Sequence, residues 1–170
     1  GATAAFYDAE VIENGEIRTE PKYLTELWTE QAIEFLATDD PRPFFLFLSY
    51  NGPYGLGKTL ADEARNRHRE YYAYKLLPSF PRSAMHPWLH NKQDYLNNPV
   101  SIRRVAAEIS AVDDGMGAVM ACLAEHGLDE NTLVVFCADQ GWVGGQNGLW
   151  GMGDHTRPLS AFDGMMRVPL

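Results

Sequence analysis

Two short runs constrain this chain most: PFFLFLSY (Pro43 to Tyr50) and TLVVFCAD (Thr132 to Asp139) are apolar almost throughout and bounded by turn-forming or polar residues. Runs this short that do not alternate apolar with polar residues predict strands buried on both faces. Each is preceded by a helical pattern. From Tyr23 to Ala37, Leu24, Leu27, Trp28, Ala32, Phe35 and Leu36 recur at three and four, with Glu26, Glu30 and Glu34 opposite. From Ile102 to His126, Ile102, Val105, Ile109, Val112, Met116, Val119 and Leu123 form one stripe, and Gly127 is placed to end the helix in the left-handed region. Nearer the start, AFYDAEVIENGEI reads as a hairpin turned at Asn14-Gly15. Helix, strand, helix, strand predicts an α/β fold, a mainly parallel sheet flanked by helices. In such sheets ligands collect beyond the carboxyl ends of the strands, which directs attention to the loops from Asn51 and from Asp139.

A length of 170 residues with 45% hydrophobic content suits one domain with a core, or a large piece of one. The chain begins at Gly1 and stops in the apolar RVPL, which reads as a piece of a longer protein. A net charge of −9 without any basic stripe argues against nucleic acid as a partner. No apolar run is long enough to span a bilayer. Cys122 and Cys137, each in apolar surroundings, read as buried free thiols.

The first loop poses a specific choice. Gly52 to Thr59, GPYGLGKT, fits the phosphate-loop pattern letter for letter and follows an apolar run, as that motif requires. A phosphate loop must also open a helix that packs on the sheet, and TLADEARNRHREYYAYKLL shows no continuous apolar stripe. The other reading is a sharp turn made possible by Gly52, Gly55 and Gly57, with Lys58 solvated.

The second loop reads ADQGWVGGQNGLWGMGDHTRPLSAFDGMMRVPL. Asp139 and Gln140, at the end of a strand, offer hard oxygen ligands of the kind Ca²⁺ takes; the plainer role for Asp139 is to stabilise a turn. His155 suits a general acid or a hydrogen-bonded loop residue, and Arg157 a fork for an oxyanion or a partner of Asp154 or Asp163. Asp113 and Asp114 read as helix-surface carboxylates, and His86 and His90 lack a third metal ligand. Tyr54, Trp142, Trp150 and Trp88 suit either ring stacking or packing.

Taken in order, YLTELWTEQAIEFLA, RPFFLFLSYNGPYG, EISAVDDGMGAVMACLAEHGLDENTLVVFCADQG, GQNGLWGMGDHTRP and AFDGMMRVPL resemble the sulfatase family of the alkaline-phosphatase-like superfamily over nearly the whole chain. The resemblance implies a partial alkaline-phosphatase-like sandwich covering the middle to later part of the catalytic domain. It makes GPYGLGKT a substrate-side loop, with Asn51 and Tyr54 contacting substrate and Tyr54 at a position where the family usually has His. It makes Asp139 a Ca²⁺ ligand and puts Gln140 at a ligand position usually held by Asn or His. Met152 stands where the family often has Lys or His, which leaves His155 and Arg157 to act on the leaving oxygen and the sulfate.

Sulfatases resembling this chain use a formylglycine made from Cys or Ser within C-x-P-x-R or S-x-P-x-R, and neither segment occurs in these residues. The resemblance therefore implies a nucleophile supplied in a full-length protein and an inert piece here. The expected substrate is a sulfated small molecule or carbohydrate, and the family location is exported or lysosomal. Two alternatives accompany this reading: a sulfatase-like binding protein without activity, favoured by the departures at Tyr54, Gln140 and Met152, and a nucleotide hydrolase using GPYGLGKT. Which ester is cleaved, and the oligomeric state, are not legible.

Overall fold

The computed structural model describes residues 6–57, 60, 65–153 and 159–169. The first element is the expected hairpin. Strands β1 (Ala9–Glu13) and β2 (Glu16–Glu20) pair antiparallel with Ala9 opposite Glu20 and Glu13 opposite Glu16. Asn14 and Gly15 sit at φ 51° and 87°, the two positive angles that match a two-residue turn to the strand twist. Ala9 and Val11, on one face of β1, pack against Leu24 and Leu27.

Helices α1 (Leu24–Leu36) and α3 (Pro99–Glu125) form the main layer, with the four-residue helix α2 (Arg69–Tyr72) against α3. Where α1 crosses α3, Ala32 and Leu36 meet Val119, Cys122 and Leu123. Gly115 lies in this layer, where a Cβ would stand 2.6 Å from both Thr29 Oγ1 and Tyr50 Oη. The hydroxyls of Thr29 and Tyr50 lie 2.9 Å apart in that space. The end of α3 falls where Gly127 predicts, whereas its start is at Pro99, ahead of the expected Ile102. Asn98 caps its start by accepting the Val100 N–H at 2.9 Å, with Pro99 in the first turn. At the other end Gly127, at φ 65°, allows the paired terminal bonds Leu128 N–H to Leu123 O and Gly127 N–H to Ala124 O.

The two apolar runs depart from expectation. Among the described residues the only ladders are β1–β2 and a short antiparallel pair, β3 (Val143–Gly144) with β4 (Trp150–Gly151); a parallel sheet is not among them. Residues 43–50 carry no ladder and are covered on one face: Leu46 and Leu48 turn to the α1–α3 cluster, whereas Phe45 and Phe47 are 87% and 79% exposed. Residues 132–139 are likewise unpaired, with Leu133 and Val135 open. The reason is topological. A strand becomes buried on both faces only inside a sheet with a second layer, and no described residues supply those neighbours. Cys137 lies in this open run and is exposed, correcting the expectation of two buried thiols; Cys122 is buried on α3.

The Pro-rich middle segment is an ordered loop laid over the β3–β4 region. Leu89 and Leu96 join Val143, Leu149 and Met165 in one cluster. Gly148, at φ 66°, lets the backbone of residues 84–86 approach, since a Cβ there would fall 2.0 Å from Ala84 O. The last helix, α4 (Asp163–Met166), closes on the second loop through Gly141 N–H to Met165 O, 3.0 Å.

Candidate active-site loops

The first loop leaves residues 43–50 at a junction with α1. Tyr50 is tied to Thr29, and Asn51 Oδ1 accepts the Trp28 indole N–H at 2.6 Å. Asn51 is exposed but already engaged by a side chain of α1. Gly52-Pro53 is cis, and a Cβ on Gly52 would press on the Phe6 ring at 3.2 Å. Past the proline the loop turns inward onto α3. The carboxyl of Glu108, a residue only 2% exposed, accepts the Tyr54 N–H at 3.1 Å, with the Gly55 backbone close by. The Tyr54 ring packs between two clusters, one around Leu56, Ile102, Val105 and Trp150 and one around Phe6, Tyr23 and Ala111.

This arrangement bears on the phosphate-loop question. Such a loop directs successive backbone N–H groups at an anionic ligand, whereas here the Tyr54 N–H is directed at the protein's own carboxyl group. Residues 52–57 form a Gly-rich turn after an extended run, and Lys58 and Thr59 lie outside the described residues.

The second loop is built against the first. Trp150, fully buried on β4, donates its indole N–H to Gly55 O at 2.9 Å, and the Trp142 ring lies 3.1 Å from where a Gly55 Cβ would stand. Trp142 and Trp150 meet edge to face at 5.0 Å, with Phe80 beyond. These two tryptophans are thus packing residues that join the loops. Trp88 is exposed beside His86, whose Nδ1 accepts the Trp88 N–H. Gln140, following the exposed Asp139, donates its side-chain N–H to Met152 Sδ at 2.6 Å. Gln140 thus reaches Met152, and Met152 is buried.

The structure thus brings Asn51, Tyr54, Asp139, Gln140 and Met152 onto two abutting loops. His155 and Arg157 lie in 154–158, outside the described residues. Asp139 and Gln140 offer a carboxylate and an amide carbonyl, a donor set that suits a hard cation such as Ca²⁺ in kind. In number they fall short of the roughly six to eight ligands it takes, and the described residues contain no group of three or more His, Cys, Asp or Glu arranged to hold a metal.

Sequence reasoning missed Glu108. Its signal was present, since an acid falls between the core positions Val105 and Val112 on the helix, but a lone Glu in a helix ordinarily faces water. Burial drives its carboxyl up to about 8, against a smaller opposite effect of the two backbone N–H groups. Nearby, the Tyr23 hydroxyl is pushed far above its usual range by burial, with the Thr25 and Asn66 side chains acting weakly against it, and among the described residues neither it nor Thr25 Oγ1 makes a hydrogen bond of good geometry. Asp114 behaves oppositely: the Arg67 guanidinium holds its carboxyl below the usual range, and His68 Nε2 lies 2.5 Å from it. Asp114 is the surface carboxylate the sequence suggested, here tying the 65–68 segment to α3.

Comparison with known proteins places the whole arrangement. A family model described as Sulfatase matches residues 2–170. The chain is 28% identical over 103 residues to an endo-4-O-sulfatase of Bacteroides thetaiotaomicron, covering 61% of this chain and 19% of that protein. It is 27% identical over 169 residues to the iduronate 2-sulfatase of Mus musculus, covering 84% and 29% respectively. It is 26% identical over 156 residues to the N-acetylgalactosamine-6-sulfatase of the same species, covering 86% and 23%. The chain thus spans less than a third of the length of each of these relatives.

Proposed function

This chain belongs to the sulfatase family, and from that premise we propose that the intact protein hydrolyses a sulfate ester of a carbohydrate or aryl alcohol. The observation that carries the reading is the junction of the two loops: the Trp150 bond to Gly55 O puts the loop with Asn51 and Tyr54 against the one with Asp139 and Gln140. The family fold is α/β, and in this proposal residues 43–50 and 132–139 are strands of its parallel sheet. The one-sided burial of 43–50 and the open apolar side chains of both runs support that role.

In this reading Asp139 and Gln140 hold the cation through carboxylate and amide oxygens. The Gln140 amide nitrogen is committed to Met152, which leaves Oε1 as its ligating end. Held there, Ca²⁺ would supply positive charge to offset that of the sulfate, and a formylglycine of the intact protein would supply the nucleophile. Arg157 forks onto the sulfuryl oxygens, and His155 gives a proton to the departing alkoxide oxygen. Asn51 and Tyr54 line the organic side of the ester. Met152, apolar and buried, has no proton to give, which is why the acid is assigned to His155.

The test is release of inorganic sulfate by the intact protein from a panel of aryl and sugar sulfates. His155→Ala should slow sugar sulfates roughly 10²–10⁴-fold and aryl sulfates, with their better leaving groups, much less. Asp139→Ala should abolish turnover of both. Sulfate release from none of the panel would reject hydrolysis and leave the binding-protein reading.

A further inference from the structure

Glu108 is a buried acid that the proposed chemistry does not use. It sits on α3 with the loop from Asn51 lying across it, and the two backbone groups it meets, Tyr54 and Gly55, immediately follow the cis Gly52-Pro53 bond. A carboxyl oxygen that is 2% exposed must find donors within the protein, and the loop must find acceptors for N–H groups turned away from solvent. Each satisfies the other. Gly55 O, on the far side of the same residue, accepts from Trp150, so Gly55 is held from both faces.

We propose that Glu108 is a positioning residue: its buried carboxyl, accepting the Tyr54 backbone N–H beside Gly55, sets the shape of the 51–57 loop and hence the place of Asn51 and Tyr54. The inference rests on the sulfate-ester reading for its consequence in turnover, but not for the contact itself.

The groups around Glu108 make its ionisation visible. Tyr7 and Tyr23 are the titratable neighbours that feel its charge, and both hydroxyls are raised, chiefly by burial. Arg104, one turn earlier on α3, donates to Leu60 O, Arg65 is paired with Asp8, and Asn66 donates to Ala107 O. Among the described residues no basic group acts on the Glu108 carboxyl, which is shifted chiefly by burial and less by the Tyr54 and Gly55 backbone. Loss of its proton therefore places a charge directly on the Tyr54 amide, beside Gly55.

Hydrogen exchange in the intact protein tests the contact. Glu108→Ala should speed exchange at Tyr54 and Gly55 at least about tenfold while the amides of α3 stay protected, and Glu108→Gln, which keeps an acceptor oxygen, should restore most of the protection. On the same variants kcat/KM for a sulfate ester should fall in Glu108→Ala and recover in Glu108→Gln at pH 6. Unchanged exchange at both amides in a folded Glu108→Ala protein overturns the proposal. Where that variant does not fold, ¹⁵N-tyrosine spectra decide: the Tyr54 amide should move with a midpoint near pH 8 in the native protein and stay still in Glu108→Gln. A Tyr54 amide that does not move in the native protein overturns it equally. Absence of sulfatase activity throughout, with exchange behaving as stated, rejects the functional reading and leaves the positioning role standing.

Discussion

At the scale of single residues, two carboxyl groups on α3 respond to pH in opposite senses. Glu108 is raised from its ordinary value to about 8 by burial, so the folded state holds its proton more tightly than the unfolded chain does. Its contribution is fully present below about pH 4.5 and is lost as pH rises through 8. Asp114 is lowered, first by its bond to Arg67, so its contribution exists above the ordinary aspartate range and disappears as pH falls below it. Asp114 is a third exposed, and screening limits it to less than about 1 kcal/mol. The unfolding free energy from urea titrations at pH 5 to 9 should therefore fall for the native protein by an amount on the order of 3–5 kcal/mol that is missing in Glu108→Gln. Equal slopes in the two proteins would show that Glu108 does not hold its proton in the fold.

At the scale of elements, α3 carries two glycines two positions apart whose replacements should have opposite signs. A Cβ on Gly115 meets the Thr29 and Tyr50 oxygens at 2.6 Å, so Gly115→Ala should separate α1 from α3, break the Thr29–Tyr50 bond and cost about 1–3 kcal/mol. Gly117 faces open space on the exposed side of the same helix, and Gly117→Ala should add up to about 1 kcal/mol by helix propensity alone. Thermal unfolding of the two variants checks both signs, and two shifts in the same direction would contradict the packing described for α3. These helices were legible because their information is local: apolar residues at three and four, and Gly127 at the end of α3; the start at Pro99, ahead of the expected Ile102, was missed because Asn98 and Pro99 were not read as a cap. The hairpin was legible from local information too, its turn being written in Asn14-Gly15. The runs at 43–50 and 132–139 were legible as extended and apolar but not as to pairing, because strand neighbours are a property of tertiary arrangement. Glu108 stayed hidden because burial of a charged residue depends on a loop 54 positions away folding back onto its helix.

At the scale of the whole molecule, the candidate site exists only if two loops far apart in sequence keep one geometry. Sequence order pointed to both loops, since each follows an apolar run, but their junction through Trp150 and Gly55 is a contact across 95 positions that no local pattern encodes. The sequence left Trp150 open between stacking on a ring and packing; its full burial and its bond to Gly55 O make it the connector. Trp150→Phe keeps most of the ring volume and removes the one donor, leaving Gly55 O buried without that partner. A lost bond of this kind costs about 1–3 kcal/mol. The same change frees the 51–57 loop from the β3–β4 region while leaving every proposed ligand and acid in place. Turnover of a sulfate ester should therefore fall more than global stability does, with faster hydrogen exchange at Gly55–Gly57 and little change within α1. If exchange and turnover in Trp150→Phe both match the native protein, the two loops hold their places independently, and the junction cannot be what assembles the site.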